Sequence, residues 1–287
     1  MTSGITEYHR PKHLEEAVAL VARPDVRTVP IGGGSKLIAA ARRDVEAVVD
    51  LRDLNLSTIK QDRDMLCVGA TATLQSLLDS PESAQAWGGE LARALRHTAA
   101  RSLREQGTIA GTLASAADTN PLAVMLLALG ASLTMFTREL EWLGRRPATA
   151  RAPERRVVAL DEFFPQRETL LRGALIIEAG IPLPRPGEAA TFEKVSRTPA
   201  DLPIVCVAVK ARLAGGRLSD VRVALGGVGP IPLRALKTER ALAGLSDAAA
   251  LQPLVDDIGP PSDFLGSAEY RREMAAVLVR RAIERLK

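Results

Sequence analysis

Residues 107–121 read Gly107-Thr108-Ile109-Ala110-Gly111-Thr112-Leu113-Ala114-Ser115-Ala116-Ala117-Asp118-Thr119-Asn120-Pro121. Two glycines bracket a run of small residues, an aspartate follows, and Asn120-Pro121 opens an apolar segment. Glycine has no Cβ, so backbone N–H groups at such a bend can approach an anion closely. An aspartate just beyond can accept hydrogen bonds from a sugar hydroxyl. A second cluster, Ile31-Gly32-Gly33-Gly34-Ser35-Lys36-Leu37, follows the short β-like run Arg27–Ile31. Two glycine turns of this kind suit a phosphate-bearing ligand.

The elements around these turns set the fold class. Leu14, Ala17, Val18 and Val21 follow helical spacing, and Ala47–Leu51 and Met65–Gly69 read as strands. Leu74, Leu77 and Leu78 mark a helix, and Glu90–Arg101 reads as another. Pro121–Leu129 reads as a buried helix and Ala131–Phe136 as a strand. Residues 144–156, with Gly144, Pro147, Pro153 and five arginines, read as a polar loop. Leu175–Ile181 is a strand stopped by Pro182, and Pro182–Gly187 is the strongest linker signal in the chain. Val205–Leu213, Gly215-Gly216 and Leu218–Leu225 predict an antiparallel hairpin. The C-terminus predicts a helix with Tyr270, Met274, Val277, Leu278 and Ala282 on one face. The pattern is α+β.

With 287 residues, two or three compact units are expected. Aromatic residues make up only 3%, so the cores rest on Leu, Val, Ile and Ala. The net charge of +4 is dispersed among acidic residues, which argues against a nucleic-acid partner. Tyr8-His9-Arg10-Pro11 stands where a secretory leader would need an apolar core, and Val124–Phe136 is too short to span a bilayer. A cytoplasmic protein, not integral to a membrane, is expected. Cys67 and Cys206 lie in separate apolar runs and read as buried, reduced thiols. With no Cys-x-x-Cys pair, neither an iron–sulfur cluster nor a structural zinc is expected.

The familiar catalytic signatures are missing. The triple glycine does not fit the phosphate loop Gly-x-x-x-x-Gly-Lys-Ser/Thr, and no Gly-x-Gly-x-x-Gly opens a helix. Gly-x-Ser-x-Gly is absent, and His9, His13 and His97 share no metal spacing. The residues themselves therefore offer binding turns rather than an evident nucleophile, acid–base pair or metal set.

Taken together, the segments resemble the FAD-binding medium subunit of molybdenum hydroxylases, the carbon monoxide dehydrogenase and xanthine dehydrogenase family, over nearly the whole chain. Gly32-Gly33-Gly34-Ser35-Lys36-Leu37 is similar to that family's first flavin loop. Thr108-Ile109-Ala110-Gly111 is similar to the second, and Asp118-Thr119-Asn120-Pro121 to the turn before its buried helix. Leu175-Ile176-Ile177-Glu178, Phe192-Glu193-Lys194-Val195-Ser196-Arg197 with Asp201, Gly226–Pro232 and Glu269-Tyr270-Arg271-Arg272 extend the likeness.

The resemblance implies a two-lobed FAD-binding domain of PCMH type at 1–172, with lobes at about 1–58 and 59–172, and a CO dehydrogenase flavoprotein-like C-terminal domain of antiparallel sheet and helices at 173–287. It implies FAD as cofactor, held by Ile31, Gly32, Gly33, Gly34, Ser35, Lys36, Leu37, Thr108, Ile109, Ala110, Gly111, Asp118, Ile176 and Lys194. Ser35 and Thr108 would donate to phosphate and Asp118 would accept from a ribose or ribityl hydroxyl. Ile176 would wall the flavin ring and Lys194 would place positive charge beside it. The implied partners are a molybdopterin-binding large subunit and a small subunit carrying two [2Fe–2S] clusters, with electrons passing to NAD or another acceptor.

Plainer structural roles stand beside these. Gly32–Gly34 also fits an ordinary strand-to-helix turn, Asp118 a helix cap ahead of Pro121, Lys194 a solvated strand residue and Ile176 core. The chain departs from the family pattern at Ala110 and Thr112, and the stretch from Thr112 to Asp118 is about three residues short. That shortening motivates the alternative of a non-redox assembly subunit with weak or no FAD binding. On this reading a β-branched residue at Gly33 or Gly111 weakens FAD retention and leaves the fold nearly intact.

Overall fold

The computed structural model describes residues 4–39, 44–137, 140–143, 146–150, 153–199, 201–245 and 254–286. The first lobe alternates strand and helix: β1 (Glu7–His9), α1 (Leu14–Val21), β2 (Thr28–Ile31), α2 (Ser35–Ala39) and β3 (Ala47–Asp50). Its sheet is parallel, in the order β1-β3-β2. The central strand β3 is buried along its whole length, as a strand flanked on both edges and covered on both faces must be. Helix α1 buries Ala17, Val18 and Val21 in one small core with Val49 and with Phe136, Leu175 and Ile177 of the next lobe.

That next lobe holds β4 (Ile59–Asp62), β5 (Met65–Gly69), α3 (Leu74–Asp79), α4 (Pro81–Gln85), α5 (Glu90–Thr98), α6 (Arg101–Gln106), α7 (Ile109–Ala114) and α8 (Pro121–Leu129). It continues through β6 (Ser132–Thr137), β7 (Leu140–Leu143), β8 (Arg146–Ala150), β9 (Glu154–Ala159), α9 (Leu160–Leu170) and β10 (Ala174–Pro182). The five-stranded sheet runs β4-β5-β10-β6-β9 with every pairing antiparallel. Residues expected as a polar loop at 144–156 instead include β8, paired with β7, and the start of β9; residues 144, 145, 151 and 152 lie outside the described set.

The C-terminal part is a meander of β11 (Glu188–Val195), β12 (Val205–Ala214), β13 (Arg217–Gly226) and β14 (Leu233–Arg234), followed by α10 (Leu236–Leu242), α11 (Leu254–Asp257) and α12 (Ala268–Glu284). Gly215 and Gly216 both take positive φ (+56° and +76°), the handedness a two-residue hairpin turn requires. The buried face of α12 is Arg271, Ala275, Leu278, Val279, Ala282 and Ile283, with Tyr270 turned outward. The expected face is thus rotated by about one residue, because the helix seats Arg271 inward on ion-pair and carbonyl partners.

Helix α8 joins these parts. All nine of its residues are buried, between the second lobe's core and the inner face of β11–β13, where Phe192, Cys206, Ala208 and Ala224 belong to the same core. An apolar surface all round fits a helix enclosed on every side. Asn120 caps it by accepting from Ala123 N–H at 3.0 Å, Pro121 takes the first turn, and Gly130 closes it at φ +78°. Among the described residues no helix is long and apolar enough to cross a membrane.

Candidate flavin site

Ile31 ends β2 opposite Asp50 of β3, so the glycine turn leaves the carboxyl end of a parallel sheet, where open α/β sheets commonly bind ligands. Gly34 has φ +72°, which a side chain resists. Gly32 and Gly33 are needed for closeness instead. A β-carbon on Gly33 would lie 1.6 Å from the Gln106 carbonyl oxygen, and one on Gly32 would lie 2.7 Å from Thr108 Oγ1. The first glycine turn thus presses directly on the second. The expectation that a β-branched residue at Gly33 spares the fold is corrected by this contact, since such a residue would drive the two turns apart. Among the described residues, no acceptor is bonded to the N–H of Gly32, Gly33 or Gly34. These donors stand open at the carboxyl edge of the sheet, with Ser35, Lys36 and Leu37 continuing into α2.

In the second turn the N–H groups of Gly107, Ile109, Ala110 and Gly111 are bonded within the protein. Gly107 donates to Leu103 O (2.7 Å), Ile109 to Ala72 O (3.0 Å) and Ala110 to Ala70 O (3.2 Å), while Gly111 N–H is capped by Thr108 Oγ1 at 3.2 Å. Four of its N–H groups are thus held within the protein, while Thr108 N–H, like those of Gly32–Gly34, has no bonded acceptor among the described residues. The reason is local: α7 starts at Ile109, and its orphan N–H groups are satisfied by the Thr108 cap and the 70–72 segment. Thr108 is buried and acts as that cap. Ala110 is helical with no positive φ, so its methyl replaces a family glycine without strain.

The short stretch after α7 is tied down from two directions. Lys36 Nζ donates to Ser115 O at 2.9 Å, and Arg167 Nη1 of α9 donates to Ala116 O at 2.8 Å. Burial, then the nearby Arg167 charge, lowers the Lys36 pKa. Arg167 carries no sequence signal, because its carbonyl partner lies in a distant loop.

Asn120, not Asp118, caps α8, so the capping role weighed for Asp118 is filled. Asp118 is half-buried, and burial raises its carboxyl pKa, opposed by hydrogen bonding from Thr119 N–H and by the Arg271 charge. Its turn lies on the C-terminal sheet: Cys206 Sγ donates to Thr119 O at 3.6 Å, and a β-carbon on Gly226 would meet Asp118 O at 2.5 Å. Lys194, Cys206 and Gly226 form one register row across β11, β12 and β13. The sheet therefore brings Lys194 and the Asp118 turn to the same row. The Lys194 ammonium donates to Pro199 O (2.8 Å) and Asp201 O (3.2 Å), and burial lowers its pKa. His97 stacks on Phe192 at 6.2 Å, its pKa lowered by burial and then by the Lys194 charge. Burial pushes the Cys206 thiol pKa up.

Ile176 lies in the core that also holds Ile109 and Ala110 of α7. It pairs with Met135 and is 5% exposed within the main core, while its neighbours Leu175 and Ile177 face α1. Among the described residues, no group of three His, Cys, Asp or Glu is placed to hold a metal ion.

Residues 3–184 match the model of the FAD-binding domain in molybdopterin dehydrogenase, and residues 190–286 match the CO dehydrogenase flavoprotein C-terminal domain. The carbon monoxide dehydrogenase medium chain of Afipia carboxidovorans is 30% identical, over 100% of this chain and 98% of that one. The glyceraldehyde dehydrogenase medium chain of Sulfolobus acidocaldarius is 28% identical, over 96% of each. Among solved structures, quinoline 2-oxidoreductase from Pseudomonas putida 86 superposes with a TM-score of 0.83 at 26% identity, covering 100% of this chain and 98% of its counterpart. With both halves of the chain matched in order, the protein belongs to the molybdopterin dehydrogenase FAD-binding family and is an FAD-binding medium subunit of the molybdenum hydroxylase type.

Proposed function

We propose that this chain carries FAD as the final electron relay of a hydroxylase, between a small subunit with two [2Fe–2S] clusters and NAD or another acceptor. A large molybdopterin-binding subunit completes the assembly. The observation that carries the reading is the row of open N–H donors at Gly32–Gly34, held against the second turn by backbone packing at Gln106. Such a row at a sheet's carboxyl edge suits a pyrophosphate. Gly32, Gly33, Gly34 and Ser35 bind the phosphates; Thr108, Ile109, Ala110 and Gly111 form the rigid support behind them. Asp118, free of capping duty, accepts from a sugar or ribityl hydroxyl. Lys194 supplies positive charge from the adjoining sheet, its amine fixed by the Pro199 and Asp201 carbonyls. Bound FAD supplies the chemistry of taking electrons singly and passing them on in pairs. Two free thiols, Cys67 and Cys206, suit a reducing cytoplasmic setting.

The domain division belongs to the same proposal. A boundary at 172/173 would cut β10 from β5 and β6, which flank it, so we place the division in 183–187, between the end of β10 and the start of β11. The test is the visible spectrum of the purified chain, followed by titration with FAD. Flavin absorption that co-purifies, or that appears on titration with quenched fluorescence, is expected. A colourless chain that gains no bound flavin overturns the reading and leaves the assembly-subunit alternative.

A further inference from the structure

We infer that Lys36 and Arg167 are positioning residues that fix, by side-chain tethers, the stretch leading from α7 to the Asp118 turn. The inference rests on the FAD reading for its functional consequence, but the tether itself is a property of the FAD-free chain. Helix α7 has six residues and links the supporting turn at its front to the Asp118 turn behind it. Its front is fixed by Gly32 and Gly33 packing on Thr108 and Gln106. Its back leads into the Asp118 turn, and there two cations from separate elements donate to successive carbonyls: Lys36 to Ser115 O and Arg167 to Ala116 O.

The chemistry suits the place. The last carbonyls of a helix carry partial negative charge and lack intrahelical donors, so a cation beside them supplies both a donor and a favourable charge. Lys36 lies two residues beyond Gly34, within α2. The first glycine turn therefore packs on the front of α7 while Lys36, in the helix that follows it, anchors the back. Two close cations repel each other, which is tolerated here because each is bonded to a separate carbonyl. Lys36 thus shapes the site by holding Ser115 and, through it, the approach to Asp118.

The test compares Lys36→Met, Lys36→Gln, Lys36→Arg and Arg167→Met in the full chain by amide hydrogen exchange without FAD and by fluorescence titration with FAD. Lys36→Met should raise exchange in peptides covering 112–119 by about tenfold, and weaken FAD binding by about tenfold or more, the consequence of losing a charge-assisted hydrogen bond. Lys36→Arg should restore both. Lys36→Gln, which keeps a neutral donor, should fall between, and it provides the measurement if Lys36→Met does not fold. Unchanged exchange with weakened FAD binding would make Lys36 a direct phosphate ligand and overturn the tether. Raised exchange with unchanged FAD affinity would overturn its positioning role. A wild-type chain that binds no FAD, yet shows the exchange change, would fail the flavin reading and leave the tether standing.

Discussion

Alanine at Gly33 is the smallest change that tests how the two glycine turns are joined. Its β-carbon would stand 1.6 Å from the Gln106 carbonyl oxygen, whereas ordinary contact begins at 3.4 Å. The turns must therefore separate by about 1.8 Å, since a backbone carbonyl cannot rotate away as a side chain would. That movement pulls on the 107–109 segment, which is held by Leu74 N–H donating to Gly107 O (2.8 Å) and by Ile109 N–H donating to Ala72 O (3.0 Å). Loss of two such bonds at about 0.5–1.5 kcal/mol each, with overpacking of about 1–3 kcal/mol, places the destabilisation at about 2–6 kcal/mol. At about 2–4 °C per kcal/mol, Tm should fall by roughly 4–24 °C. FAD affinity should fall by more than about tenfold, because the open donors of Gly32–Gly34 move with the turn. Gly111→Ala is the control. The nearest atom to its added β-carbon is the Thr108 hydroxyl at 3.0 Å, and the position is helical, where alanine is favoured over glycine by about 1 kcal/mol. Its Tm should stay level or rise. Thermal unfolding followed by circular dichroism, with FAD titration on the same samples, reads both variants. A Gly33→Ala chain with wild-type Tm and affinity would refute the packing role, as would a Gly111→Ala chain equally damaged.

Asp118→Asn should separate stability from binding. The Asp118 carboxyl pKa is raised in the folded chain by burial. The folded state thus holds that proton more tightly, and stability falls as pH rises from the unfolded value, about 3.9, through the folded one. At pH 7 the cost is fully present, so Asp118→Asn should raise Tm there, with the gain vanishing near pH 3, while FAD binds about ten- to a hundredfold more weakly. Tighter FAD binding, or a Tm gain independent of pH, would refute the assignment. Arg285 ties α12 to the edge strand β11 and to α5: it donates to Phe192 O (3.1 Å), pairs with Glu193 at 2.5 Å and pairs with Glu90, which also accepts from Phe192 N–H at 2.8 Å. The guanidinium is partly exposed, so Arg285→Ala should cost about 1 kcal/mol, with a Tm fall of a few degrees that shrinks in about 1 M salt. An unchanged Tm in low salt would show that the bridge does not hold the C-terminal sheet in place.

Much was decided locally. The apolar run of Pro121–Leu129 between Asn120 and Gly130 carries its own cap, start and stop, so the helix was legible before any partner was known. The Gly215-Gly216 hairpin and the triple glycine after a β run were equally plain, because backbone handedness is a property of the residue itself. Charge dispersal and the missing catalytic signatures left binding turns for a phosphate-bearing ligand, and the resemblance of the glycine, Asp118 and Lys194 segments to the molybdenum hydroxylase medium subunit implied flavin. The tertiary structure alone decided which donors are open. Gly33 and Gly111 look alike in sequence, yet one faces a carbonyl 1.6 Å from its β-carbon site and the other sits on a tolerant helix. Strand pairing set Ile176 opposite Met135 in the core shared with α7, and set Lys194 in register with Cys206 and Gly226. Arg167 and Arg271 found backbone carbonyls far along the chain, and no periodicity encodes such meetings. Sequence carried what each residue's own backbone and polarity dictate; packing at a distance decided which of those groups remain free to bind.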